Sequence, residues 1–140
     1  MDAEPGLYGT PGRVEDEVAT VRAIYEAFAR RDVEGALEWI ADDCEFHLPG
    51  TASRAGHGAP YRGPEGVRQY FEDAQRVWVE LTLFADDIRA SAGGVAVFGH
   101  VEGRREGEIL NRSVLWLWQV RDGKAVSVRA NDLGNNVPPS

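Results

Sequence analysis

Cysteine is nearly absent, with Cys44 the only one in the chain. A single thiol forms no intrachain disulfide, and neither the zinc spacings nor a redox CxxC can be written, so Cys44 is expected to serve as a small buried hydrophobe. Basic residues are outnumbered, 15 Lys and Arg against 23 Asp and Glu, for a formal net charge of −8. A chain this acidic has no long-range attraction for nucleic acid or an anionic membrane; a neutral or cationic small molecule suits it better. Long hydrophobic runs are lacking too. The longest, Val114 to Trp118, is far too short to span a bilayer, and no apolar segment follows Met1, so a cytoplasmic protein is expected. His47, His57 and His100 fall in neither HxH nor HxxxH spacing, and no glycine-rich phosphate loop follows a strand. Neither a metal nor another cofactor is expected.

What is present suits one globular domain: 140 residues, 43% hydrophobic and 27% charged. Residues 1–13 hold several Pro and Gly without periodicity and read as a flexible arm, residues 14–134 as the domain, and 135–140 as a frayed tail. Val14, Val18, Val21, Ile24, Tyr25 and Phe28 recur at helical spacing, and Asp32 can cap a second short helix through Ile40. Cys44 to Leu48 reads as a strand. Pro49 to Gly63 reads as a loop, and Pro64 opens a third helix that carries Val67, Tyr70, Phe71, Ala74 and Trp78 on one side. Alternation then replaces the helical period in Leu81, Leu83 and Ala85, in Val95 to Glu102, and from Glu108 onward. Helices followed by an antiparallel meander make an α+β domain with helices covering one face of the sheet.

The last two strands predict their own pairing. Asp122-Gly123 tolerates positive φ at both central positions of a two-residue turn, which sets Arg121 opposite Lys124. Counting outward pairs Leu117 with Val128, Leu115 with Ala130 and Ser113 with Asp132 on one face, apolar until it ends in a carboxylate. The other face pairs Trp118 with Ser127 and Trp116 with Arg129, a cation–π arrangement expected on the outside of the sheet. On this reading the leucine stripe lines a pocket, and the Trp116/Trp118 face meets a second subunit as a homodimer.

Arg31-Asp32-Val33-Glu34-Gly35-Ala36-Leu37 through Ala41-Asp42-Asp43-Cys44, then Phe46-His47-Leu48-Pro49-Gly50, Tyr61-Arg62-Gly63-Pro64-Glu65-Gly66-Val67 and Val120-Arg121-Asp122-Gly123-Lys124 together resemble the SnoaL-like branch of the NTF2-like superfamily. The resemblance implies a cone: a strongly curved antiparallel sheet on three N-terminal helices, enclosing an apolar pocket for a hydrophobic small molecule. It also implies a range of cofactor-independent chemistries, among them cyclisation, isomerisation and epoxide hydrolysis, or simple ligand carriage. Leu48 stands where ketosteroid isomerases keep their base, and Leu117 where they keep a protonated aspartate. Arg112 has no aspartate near it on its own strand, unlike the aspartate-arginine-aspartate arrangement of limonene-type epoxide hydrolases. Asp132 falls near the position resembling the acid/base of SnoaL-type cyclases.

Asp132 is thus the leading acid/base candidate. Partial desolvation at the end of an apolar stripe would raise its pKa toward neutrality; the competing reading is a strand-end Asp capping the turn at Leu133-Gly134. His100 is its expected partner if Ala96, Phe98 and His100 face inward. Matching Phe98 to an inward aromatic of the family favours that phase, whereas hydrophobicity favours Val95, Val97 and Val101. Phe46, Leu48, Phe98, Ser113, Leu115, Leu117, Val128 and Ala130 complete the expected pocket, with Tyr25, Tyr61 or Asn131 orienting polar groups of a ligand. His47, alternating with Phe46 and Leu48, is expected to face away.

Overall fold

A computed structural model describes residues 11–58 and 60–136. Helix α1 (Pro11–Ala29) and the short α2 (Val33–Leu37) precede strand β1 (Ile40–His47) and helix α3 (Pro49–Ala55). The two-residue β2 (Tyr61–Arg62) and helix α4 (Gly63–Val77) then lead into four long strands, β3 (Glu80–Ser91), β4 (Gly94–Arg105), β5 (Glu108–Arg121) and β6 (Lys124–Asn135). The strands form one curved, unclosed sheet in the order β2-β1-β6-β5-β4-β3. β1 runs parallel to β6, and every other neighbouring pair is antiparallel. The α+β architecture is as expected.

Local chemistry accounts for the helix boundaries. α1 buries Val21, Ile24, Tyr25 and Ala27, then Arg31 turns the chain at φ 58°. Asp32 caps α2 as expected, its Oδ1 accepting the Gly35 N–H at 2.9 Å. A Cβ at Gly35 would lie 2.2 Å from Asp32 Oδ2, so this cap needs a glycine there. α3 lies within the segment expected to be a loop. Its signals are Pro49 at the first turn and Gly56 just past the end at φ 77°, where the His57 N–H reaches Ala52 O at 2.8 Å. The expected arm lies outside the described residues up to Thr10, and Pro11 to Arg13 begin α1. Residues 137–140 of the expected tail also lie outside them.

The Asp122-Gly123 turn forms with Arg121 opposite Lys124 and Val120 opposite Ala125. The register then slips, because Val126 is a bulge residue: Gln119 pairs with Ser127 and Trp118 with Val128. Trp116 accordingly faces Ala130 and Val114 faces Asp132, so the expected pairings of Leu117 with Val128, Leu115 with Ala130 and Ser113 with Asp132 are corrected by one residue. Trp116 and Trp118 are each 3% exposed, whereas Leu117 is 42% exposed on the outer face. Burying a large apolar side chain contributes about 1.5–3 kcal/mol, and a ladder hydrogen bond about 1 kcal/mol net. Turning two tryptophans and Val114 inward therefore outweighs one irregular pair. The Trp116/Trp118 pair lies inside and cannot be a subunit interface.

The core runs from α1 across the inner face of β4–β6. Trp118 Nε1–H donates to the Tyr25 hydroxyl at 3.0 Å, and the Tyr25 ring meets Trp116 and Trp118 edge-on at 5.6 and 5.7 Å. Cys44 is fully buried, and burial, then Asp43 and Glu45, pushes its thiol up to about 12. Among the described residues no helix is long and apolar enough to cross a membrane.

Candidate functional site

The inner face of the sheet and the α3–α4 side bound a cavity of about 480 Å³. Its walls are built by Leu83 of β3, Val101 of β4, Leu110, Val114 and Trp116 of β5, Ala130 of β6, and Leu48, Tyr70 and Trp78 from the helical side. The polar part comes from two ion pairs. Arg54 of α3 forks onto Glu108, Nε to Oε1 at 3.0 Å and Nη2 to Oε2 at 2.6 Å. Arg112 lies within 3.1 Å of both Asp132 carboxylate oxygens through Nε, and Nη2 lies 3.0 Å from Oδ2.

Asp132 lies in this cavity, but with electrostatics opposite to those expected. The Gly134 N–H donates to Oδ1 at 2.8 Å, and this bond first, then Arg112, holds the carboxyl below its ordinary range despite a smaller opposing effect of burial. Its side chain is 58% exposed, so the desolvation expected to raise the pKa is weak. The capping role and the cavity position coexist. A second register shift makes this possible: Val114 pairs with Asp132, Ser113 pairs with Gly134, and the glycine sits at φ 106°. Glu108 is likewise held low, chiefly by its hydrogen bond to Arg54.

His100 is not brought to Asp132. On β4 the buried phase is Val95 and Val97, with Val101 lining the cavity, so Phe98 is 45% exposed and His100 lies on the outer face. There its Nδ1 is 2.8 Å from Asp86 Oδ2, Nε2 is 3.4 Å from Glu102, and the ring stacks on Phe84 at 4.3 Å. Asp86 bulges out of β3 between Ala85 and Asp87, which lets it reach the imidazole.

Of the other expected pocket residues, Leu48 and Ala130 line the cavity. Val128, Phe46, Tyr25 and Tyr61 are core instead. The Tyr61 hydroxyl donates to Asp73 Oδ2 at 2.7 Å; burial, then this carboxylate, pushes the phenol well above its ordinary range. Leu115, Leu117, Phe98 and Ser113 share the outer phase of their strands with His100. Asn131 sits opposite Leu115, donates to Leu115 O at 3.1 Å, and borders a separate cavity of about 330 Å³ with Phe46, His47, His57 and Arg129. Arg129 faces Leu117, not Trp116. The described cation–π contact instead sets Arg54 over Trp78, 5.1 Å from its centroid.

Of the site residues missed from sequence, Arg54 follows from α3, Glu108, Arg112 and Trp116 follow from the Val126 bulge, and Tyr70 lies on the expected apolar stripe of α4. A signal for the β5 phase was present: Asn111, Ser113 and Gln119 share the phase of Leu115 and Leu117, whereas Val114, Trp116, Trp118 and Val120 alternate with them.

With this geometry in place, comparisons bear on what it serves. Residues 21–128 match the family model described as a SnoaL-like domain. IdmH from Streptomyces antibioticus, to which polyketide cyclase activity is ascribed, is 30% identical, with 84% of this chain and 91% of that one covered at a TM-score of 0.67. An NTF2-like protein of unknown function from Burkholderia pseudomallei is 26% identical, with 84% and 90% covered at 0.73. TerC, crystallised with polyporic acid, has the same fold at 24% identity and a TM-score of 0.74, with 84% and 91% covered. No curated protein matches the sequence.

Proposed function

Because this chain belongs to the SnoaL-like domain family, we propose that it is a small-molecule enzyme of the cyclase or isomerase type, acting on a mostly apolar metabolite with an enolisable carbonyl. The observation that carries this reading is the Arg112–Asp132 pair facing the apolar wall of the main cavity. An ionised carboxylate accepts a proton; a neighbouring guanidinium stabilises the negative charge that the substrate then acquires. In this mechanism Asp132 takes the proton from the carbon beside the carbonyl, and the C–H electron pair becomes an enolate whose oxygen faces Arg112. For isomerisation, Asp132 returns the proton at another carbon. For cyclisation, the enolate carbon bonds to a second carbonyl carbon of the same molecule, and that carbonyl's oxygen takes the proton. Leu48, Val114, Trp116 and Ala130 hold the apolar body of the substrate and limit water. The family's range of carbonyl and polyketide chemistry, represented by the ascription to IdmH, supports the substrate class.

The test is exchange in heavy water. Added protein should accelerate loss of the α-proton NMR signal of 2-tetralone, an enolisable benzylic ketone, over buffer alone. A ketone that binds without faster exchange would favour the alternative, a carrier domain for a hydrophobic ligand.

The same reading includes a homodimer, for which the outer sheet face is the candidate in place of the buried Trp116/Trp118 pair. Phe98 and Leu117 are large exposed hydrophobics, and Leu115 lies opposite Phe98 between them. The patch is bordered by the Asp87–Arg89 ion pair on the β3 side and by Arg129 on the β6 side.

A further inference from the structure

A third cavity of about 190 Å³ lies behind the main one, toward α1, and these two share Tyr70, Leu81 and Leu83 as a common wall. The rear cavity is mostly apolar, bounded by Tyr25, Phe28, Phe71 and Ala74, with Arg31 and Thr82 as its polar edge; Arg31 Nη2 donates to Leu81 O at 2.9 Å. Of the shared residues, Tyr70 is the buried one, and it is held on several sides. Its ring meets Tyr61 edge-on at 5.6 Å and Phe71 at 5.8 Å. Beside it on the cavity wall, Thr51 Oγ accepts the Trp78 Nε1–H at 3.1 Å. A buried side chain fixed between two aromatic contacts is a rigid partition, not a swinging one.

We propose that Tyr70 sets the length of ligand the main cavity accepts, by walling off the rear cavity as a latent site for an apolar tail. This rests on the main cavity being the ligand site, as under Proposed function. Each methylene buried in an apolar cavity tightens binding about fourfold, so a homologous series reports the point at which the chain meets a wall.

The probe is a series of straight-chain primary alcohols, hexanol through dodecanol, titrated calorimetrically into wild type, Tyr70→Phe, Tyr70→Ala and Tyr70→Ala/Ala29→Phe. Ala29 borders only the rear cavity and is exposed, so the added ring fills that space without touching the first. Wild type and Tyr70→Phe should gain affinity with length and then stop at the same member. Tyr70→Ala should keep gaining and bind dodecanol about tenfold or more tighter than wild type, and the double variant should restore the wild-type limit. If Tyr70→Ala does not fold, Tyr70→Leu, which removes the ring but keeps an apolar fill, carries the same expectation. An unchanged length limit on removing the ring overturns the proposal while leaving the main cavity as the ligand site. Failure of every alcohol to bind the wild type overturns both.

Discussion

Asp132 and Arg112 reach each other across neighbouring strands, with two guanidinium nitrogens 3.0–3.1 Å from the carboxylate, and the Gly134 N–H completes the clasp. These contacts lower the folded-state pKa of Asp132, with the Gly134 hydrogen bond named first and Arg112 second. A depressed carboxylate contributes stability that is present above its unfolded pKa, about 3.9, and is lost as pH falls through the lower folded value. Ketone exchange should therefore stay flat from neutrality down to about pH 4 and fall only below it. Arg112→Gln removes one of the two contacts, so the acid limb should move upward; a pH profile with the limb in its wild-type place would count against the pairing as the cause.

β3 and β4 approach each other too closely at Gly99 for any side chain. A Cβ there would stand 1.8 Å from the Phe84 carbonyl oxygen and 3.1 Å from the Trp116 ring. Gly99→Ala must displace backbone, and overpacking of this kind costs about 1–3 kcal/mol. Chemical denaturation should show the loss, and an unchanged midpoint would mean that the strands separate more easily than this packing implies.

Asp73 is 1% exposed yet ionised. Burial pushes its pKa up, but hydrogen bonds from Tyr61, Gln69 and Arg76 outweigh that and hold it below the ordinary range. Asp73→Ala leaves the buried Tyr61 hydroxyl without its acceptor, a loss of about 1–3 kcal/mol in unfolding free energy. Alcohol binding in the main cavity should be little affected, because Asp73 does not border it.

The outer-face dimer is tested by Leu117→Asp. The position is half-exposed, so the fold should survive, and sedimentation velocity should show a dimer in wild type and a monomer in the variant. A dimer that persists would move the interface elsewhere.

How much could be read in advance follows a physical pattern. The α1 and α4 stripes, the Asp32 cap and the Asp122-Gly123 turn are local, and each was legible because neighbouring residues decide it. Val126 was not, because a bulge depends on what the two strands can bury together. It leaves the β6 phase of Val128, Ala130 and Asp132 as expected and reverses that of β5, exchanging Leu115 and Leu117 for Val114 and Trp116. That exchange also makes Arg112 an inward residue beside Asp132. On β4 the valine phase won over the match of Phe98 to a family aromatic, and His100 went outward with it. Position Asp132 was found, and so was its cap on the local Gly134 turn; its lowered pKa was not, because the cap was set against the cavity position as an alternative and Arg112 comes from the neighbouring strand.

The central claim, that Asp132 is the base, is tested most directly by the initial rate of 2-tetralone α-proton exchange in heavy water at neutral pH for Asp132→Asn beside wild type. General-base catalysis contributes about 10²–10⁴-fold, so the variant, with its fold verified by circular dichroism, should fall by about two orders of magnitude or more toward the buffer rate. A folded Asp132→Asn protein exchanging at the wild-type rate would contradict the account.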